Sequence, residues 1–121
     1  MREAFAHDAV LVLEDGGDDG APGGAITVAL CGDAAHDPPC PLAPHHTRVH
    51  RTDGVVTLRL IFAAEPEDEH RVRLLVEDVL SRGWGDSPAG RTAWDLVESG
   101  PSPVGVDEQP HAERLIRSPG R

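Results

Sequence analysis

The chain has 121 residues and a formal net charge of −10, and its eleven basic side chains are all arginines. This charge argues against nucleic acids and anionic membranes as partners, because both bind clustered basic residues and repel an acidic protein. No segment approaches the ~20 consecutive apolar residues of a transmembrane helix, and the N-terminus lacks the apolar core of a secretory signal. We therefore expect a cytoplasmic protein with reduced thiols.

The first thirty residues are expected to supply two strands joined by a flexible connection. Ala9–Leu13 is a short apolar run rich in β-branched residues, and Ile26–Leu30 alternates large and small side chains. Both patterns are typical of β-strands. The segment 15–24 between them is rich in Gly and Asp, a composition that predicts a loop.

A β-hairpin is predicted over residues 47–62. Thr47–Arg51 and Val55–Phe62 flank the pair Asp53-Gly54, and such a pair between two strand-like runs indicates a tight turn. In the second strand, Thr57 and Arg59 fall on one face. The apolar residues of the other face are Val56, Leu58, Leu60 and Phe62. This alternation sets the register of the strand.

The clearest helix is predicted over residues 66–82. Pro66 suits the first helical turn, the acidic residues beside it complement the helix dipole, and Gly83 suits the position after the last turn. One apolar stripe recurs with helical spacing, formed by Val72, Leu75, Val76, Val79 and Leu80. We expect this stripe to pack on the apolar face of the second hairpin strand.

The remainder of the chain is less patterned. Residues 86–99 suit a short helix that begins near Pro88, although the β-branched residues after Gly90 leave a strand open as well. Trp84 and Trp94 are expected to be packing anchors. Beyond them lies a Pro- and Gly-rich tail, either disordered or docked through Leu115 and Ile116.

These elements predict an α+β fold in a single domain over residues 1–99. We expect a three- to four-stranded antiparallel sheet with one main helix packed across it. A Pro-rich Cys/His loop at 31–46 and an irregular C-terminal tail at 100–121 complete the predicted architecture.

The Cys/His loop contains both cysteines and three of the seven histidines, and it repeats the spacing Cys-x4-His. Two thiolates and two imidazoles form the ligand set of a closed, tetrahedral, structural zinc site. The predicted zinc ligands are Cys31, His36, Cys40 and His45, with His46 as the alternative ligand. Four prolines stiffen the loop and reduce the entropy that it loses on binding an ion.

Other interpretations of this loop remain open. Cys31 and Cys40 are close enough in sequence to form a disulfide or a redox pair, and the loop is also compatible with no ligand at all. With only three protein ligands, the fourth coordination position of the metal would be open. It would hold a water molecule, with Asp37 as the adjacent carboxylate, or it would allow the protein to pass the metal on. That arrangement would make the protein a metal handler or a metal-dependent enzyme.

We find no Ser/His/Asp order and no Gly-rich phosphate loop in the sequence, so we expect a role without catalysis. The predicted function is a small accessory or protein-interaction module that carries zinc and binds an unknown protein partner. The acidic surface and the tail are the expected contact regions, and a metal-free interaction domain is the alternative. Outside the loop, histidines such as His7 are expected to be surface or packing residues.

Overall fold

The computed structural model describes residues 1–31 and 43–118, with the backbone alone at Cys31. Within these ranges it contains β1 (Glu3–Leu13), α1 (Ala21–Cys31), β2 (His45–Thr52), β3 (Val55–Ala64), α2 (Glu69–Arg82), β4 (Trp84–Ser87), β5 (Gly90–Ser102) and α3 (Gln109–Ile116). Single 3₁₀ turns at Pro66–Asp68 and Val106–Glu108 lead into α2 and α3.

The five strands form one curled, antiparallel sheet in the order β2-β3-β1-β5-β4. The broad α+β class is confirmed, but the prediction of three or four strands with one main helix is wrong. The elements that the prediction lacked are α1, α3 and the β4–β5 hairpin, which follows Gly83. The order places β1 in the centre, with β3 on one side and β5 on the other.

The predicted strand at Ile26–Leu30 is instead part of α1. The helix begins at Ala21, where the backbone N–H of Gly20 donates to the Asp18 carboxylate at 2.9 Å. Four apolar residues of this helix are buried in the main core cluster, namely Ala21, Ala25, Ile26 and Leu30. Their spacing of four, one and four positions is helical. The alternation of large and small side chains over Ile26–Leu30 is therefore accidental, because the run is too short to distinguish a strand from a helix.

Residues 86–99 lie in the β4–β5 hairpin, so the strand that the sequence left open is confirmed and the helix alternative is wrong. Ser87 ends β4, Gly90 begins β5 with a φ of +114°, and the two strands pair directly across this turn. The strand β5 continues to Ser102 along β1, and α3 follows. The expectation of an irregular tail is accordingly wrong for the residues up to Ser118 that the structure describes.

The main core lies between the sheet and the pair α1 and α2. The alternating face of β3 and the stripe of α2 meet there as predicted, with Val56, Phe62, Val72 and Val76 fully buried. Trp94 from β5 joins this core and donates its indole N–H to the carbonyl of Leu80 at 2.9 Å.

The turn between α2 and β4 depends on Gly83. This residue ends α2 with a φ of +85°, a left-handed conformation that side chains disfavour. A Cβ atom at this position would also lie 2.9 Å from the Trp94 carbonyl oxygen. The predicted helix end at Gly83 is confirmed.

The opposite face of the sheet is only half covered. A second apolar cluster forms where α3 packs on the sheet, with Ala112 and Leu115 against Ile61 and Ala63. The other half of this face carries no helix in the part of the chain that the structure describes. Within the same ranges, none of the helices has the length and apolar character needed to cross a membrane.

Candidate functional site

The predicted zinc ligands fall mostly outside the described residues. His36 and Cys40 lie in the segment 32–42, and the side chain of Cys31 is also outside the description, although its backbone ends α1. His45 and His46 begin β2. Among the described residues, no group of three or more His, Cys, Asp or Glu side chains is placed to hold a metal ion. Zinc binding by the loop therefore stays a prediction.

His45 and His46 lie on opposite faces of the sheet. His45 pairs with the core residue Phe62, whereas His46 pairs with Ile61 and contacts the ring of His111, with centroids 4.4 Å apart and ring planes tilted by 49°. The two imidazoles therefore cannot bind one ion while β2 stays paired, because successive strand side chains point in opposite directions.

Hydrogen bonds fix the tautomer of His45. Its Nδ1–H donates to the Ala43 carbonyl at 3.1 Å, and the Thr27 hydroxyl lies 3.0 Å from Nε2. Burial lowers the pKa of His45, so the ring is neutral at pH 7. Metal-binding histidines often have this form, with one N–H on a carbonyl and the other nitrogen carrying a lone pair. Here, however, that lone pair accepts from Thr27.

A different site emerges on the half-covered face, from side chains aligned across four strands. One row across β2, β3, β1 and β5 consists of Arg48, Arg59, Asp8 and Gly100. The next row consists of His50, Thr57, Val10 and Glu98. Because both rows point away from the two core helices, they form an exposed, mixed polar and apolar surface.

A groove follows these rows. A cavity of about 580 Å³ lies over β2, β3 and β1, where Arg48, Thr57 and Val10 line it. A second cavity of about 250 Å³ shares Val10 and continues over β5 to Glu98 and Gly100. A Cβ atom at Gly100 would meet nothing within 4 Å, so the missing side chain leaves this end of the groove open. We call the two cavities together the sheet groove.

One wall of the sheet groove is an ion cluster centred on Arg59. Its guanidinium makes two bonds of 2.7 Å to Glu108 and one of 2.8 Å to Asp8. It also donates to the Ser102 hydroxyl and the Pro103 carbonyl, which brings all five N–H donors of the side chain into use. Arg59 is therefore a structural clamp, which attaches the turn before α3 to the sheet.

Glu108 is the anionic centre of this clamp. The hydrogen bonds from Arg59 lower the pKa of Glu108 to about 2, with a further contribution from the backbone N–H of Gly105. The same bonds raise the pKa of Arg59. Only 7% of the Glu108 side chain is exposed, so this carboxylate stabilises the fold and has little contact with solvent.

Arg48 differs from Arg59 in its remaining capacity. Its side chain is 65% exposed and makes one ion pair in the described residues, a 3.2 Å contact with Glu108. The other guanidinium N–H groups have no partner among the described residues, and the side chain lines the groove. Arg48 thus keeps guanidinium donors that an anionic group could accept.

A second polar cluster lies on the helix side of the sheet, around His7. Its Nε2–H is 2.8 Å from the Ser99 hydroxyl, which in turn donates to the Glu77 carboxylate. Arg73 donates to Nδ1 of His7 at 2.9 Å. Burial, followed by the charge of Arg73, lowers the pKa of His7, so the ring is neutral.

This cluster contains Ser, His and Glu, but its hydrogen bonds do not form a nucleophilic triad. A triad needs a histidine nitrogen with a lone pair facing the serine. Since an arginine only donates, the lone pair of His7 is on the nitrogen that faces Arg73. The nitrogen that faces Ser99 carries the proton and cannot accept another. We interpret the cluster as a structural network that joins β1, β5 and α2.

Sequence reasoning missed both clusters. The expectation that His7 is a surface or packing residue overlooked its polar network, although its position was readable from the alternation of β1. His7 shares a face with Ala9, Leu11 and Leu13, which are all buried. The groove residues gave no comparable signal, since they come from four separate strands.

Comparison of the chain with protein-family models, with curated proteins and with solved structures found no match.

Proposed function

We propose that the protein is a binding module that takes a small ligand into the sheet groove. The observation that carries this proposal is the cavity of about 580 Å³ beside Arg48, which keeps unused donors among the described residues. Ligand sites are typically concave, with volumes of ~300–1,000 Å³ and a few polar groups beside an apolar surface. Val10 and Thr57 form such a surface in the centre of the groove.

The rigidity of the groove supports the same proposal. Its floor consists of the four paired strands β2, β3, β1 and β5, and its wall is held by the Arg59–Glu108 clamp. A site held in shape before the ligand arrives avoids part of the ordering entropy of binding. Exposed valines extend the apolar surface beyond the groove, with Val12 39% and Val55 43% exposed.

Solvent mapping by NMR tests this proposal. We expect the neutral probes isopropanol and N-methylacetamide to shift amide signals of residues 8–10, 48–50, 57–59 and 98–100. The variant Gly100→Leu should reduce these shifts, because its side chain enters an empty part of the groove. Gly24→Leu is the matched control, since a Cβ there also meets nothing within 4 Å but lies on α1. Shifts concentrated elsewhere, or unaffected by Gly100→Leu, would contradict a groove site.

We also propose a structural zinc site in the Cys/His loop as a second, independent function. The neutral tautomer of His45 supports it, because the Thr27 hydroxyl has another acceptor in the Gly23 carbonyl at 3.2 Å and can release Nε2 to an ion. Native mass spectrometry of protein purified without added metal should show one bound zinc that a chelator removes. A mass lower by two protons, without metal, would show a disulfide in its place.

A further inference from the structure

We propose that the ligand of the sheet groove is a short peptide with free termini. Its carboxylate would lie at Arg48, and its ammonium group at Asp8 and Glu98. This inference rests on the proposed function, because it names the ligand class of the same groove.

The two ends of the groove carry opposite charges. On the β2 side, Arg48 presents a guanidinium whose planar donors match the two oxygens of a carboxylate. Arg51 does not add to this end, because it turns away and donates to the carbonyls of Gly17 and Asp53. Arg48 is therefore the arginine at this end that keeps spare donors among the described residues, and its ion pair with Glu108 holds it in place.

On the β5 side, two carboxylates flank the gap at Gly100. Asp8 is half exposed and uses one oxygen, Oδ1, to bind Arg59. Glu98 is exposed and has no ion pair or side-chain hydrogen bond with another described residue. Because Asp8 pairs with Gly100 and Val10 pairs with Glu98, the two carboxylates are diagonal neighbours, ~7–8 Å apart at their Cα atoms. An ammonium group has three donors and can bind both.

The distance between the charged ends sets the length of the ligand. Neighbouring strands are ~4.8 Å apart, so β2 lies ~10 Å from β1 and ~14 Å from β5. An extended peptide advances ~3.5 Å per residue. About three residues therefore span the groove, whereas a single amino acid is too short to reach both ends. An internal segment of a protein brings no terminal carboxylate or ammonium group, so its backbone would leave the spare donors of Arg48 and the carboxylate of Glu98 without a partner.

Peptides with blocked ends test this inference. We would titrate trialanine, its N-acetyl form and its C-terminal amide into the protein and follow amide shifts by NMR. Trialanine should shift groove amides, and blocking either end should weaken its binding about fivefold or more, as expected for the loss of a partly exposed charged hydrogen bond.

Protein variants assign each end. Arg48→Gln should abolish the preference for the free carboxylate and keep the preference for the free amine. Glu98→Gln should weaken the preference for the free amine, since Asp8 remains, and keep the preference for the free carboxylate. Arg91→Gln is the control, because this residue pairs with Asp86 in the β4–β5 hairpin and does not line the groove. Its peptide affinities should equal those of the wild-type protein.

The outcomes separate this inference from the function on which it rests. If the blocked peptides bind in the groove as well as trialanine does, or if none of the three binds while the neutral probes do, the ligand class is wrong and the groove remains a binding site. If neither the peptides nor the neutral probes shift groove amides, both proposals fail.

Discussion

The Arg59–Glu108 clamp gives the sharpest prediction for stability. Glu108→Gln keeps the size of the side chain and removes its charge. The pKa of Glu108 falls from an ordinary value of 4.5 to about 2 in the folded protein. At ~1.4 kcal/mol per pKa unit, this fall corresponds to ~3 kcal/mol of stability at neutral pH. Because Asp8 and Arg48, which complete this ion cluster, are half or more exposed, we reduce the expected loss to ~2 kcal/mol to account for solvent screening.

The pH dependence of this loss identifies its cause. Since the unfolded chain binds the proton more readily, the contribution of Glu108 is complete above pH ~5 and is lost as the pH falls toward 2. The difference in unfolding free energy between the wild-type protein and Glu108→Gln should therefore shrink by at least about half between pH 7 and pH 3. Urea unfolding followed by Trp fluorescence measures both values.

Glu113→Gln provides the matched control on α3. Glu113 pairs with Arg117 one turn away, and both side chains are mostly exposed. Such a pair contributes ~0.5 kcal/mol or less. The interpretation of Glu108 as the anionic centre of a clamp is refuted if the two variants lose equal stability, or if the loss in Glu108→Gln does not change with pH.

Three further predictions follow from the fold and the loop. Gly83→Ala should destabilise the protein by ~1–3 kcal/mol, because the residue has a left-handed φ and the new Cβ would contact the Trp94 carbonyl. Gly24→Ala within α1 should instead stabilise the protein by ~0.5–1 kcal/mol. Equal effects of the two substitutions in thermal unfolding would contradict this prediction. Stability should decrease as the pH falls below ~6.5, since the folded state holds His7 neutral, and His7→Gln should weaken this dependence in urea unfolding at pH 7.5 and 5.5; an unchanged slope would exclude His7 as a contributor. If the Cys/His loop binds zinc, a chelator should lower the melting temperature of the wild-type protein and leave that of Cys40→Ser unchanged. Equal melting curves of the wild-type protein with and without chelator would argue against a structural ion.

The predictable parts of this fold are those with long, regular patterns. The alternation of Val55–Phe62 extends over several residue pairs, and the apolar stripe of the helix after Pro66 extends over more than two helical turns. Both predictions are confirmed. The prediction of a strand at Ile26–Leu30 was wrong because a run of five residues fits both the period of a strand and that of a helix. Only a window that begins at Ala21 shows the helical spacing, and the glycines at its start concealed it. At residues 86–99 the sequence left helix and strand open, because the start at Pro88 suits a helix whereas Gly90 and the β-branched residues after it suit a strand.

The sheet groove was beyond sequence reasoning for a different reason. Its charged residues Asp8, Arg48 and Glu98 are far apart in the chain and become neighbours only through the strand order. No local pattern fixes that order, since each strand has more than one compatible partner. The Cys/His loop shows the opposite case, in which a local pattern gives a specific chemical prediction without any knowledge of the fold.

The central position of β1 has a consequence for assembly. This strand pairs Glu3 with Ala64 and Ala6 with Ser102, so both of its neighbours come from distant parts of the chain. Contacts of such long sequence separation form slowly and depend on one another. Both edges of β1 are paired only once β5 has formed, so removal of the C-terminal third would leave one edge of this central strand without its partner.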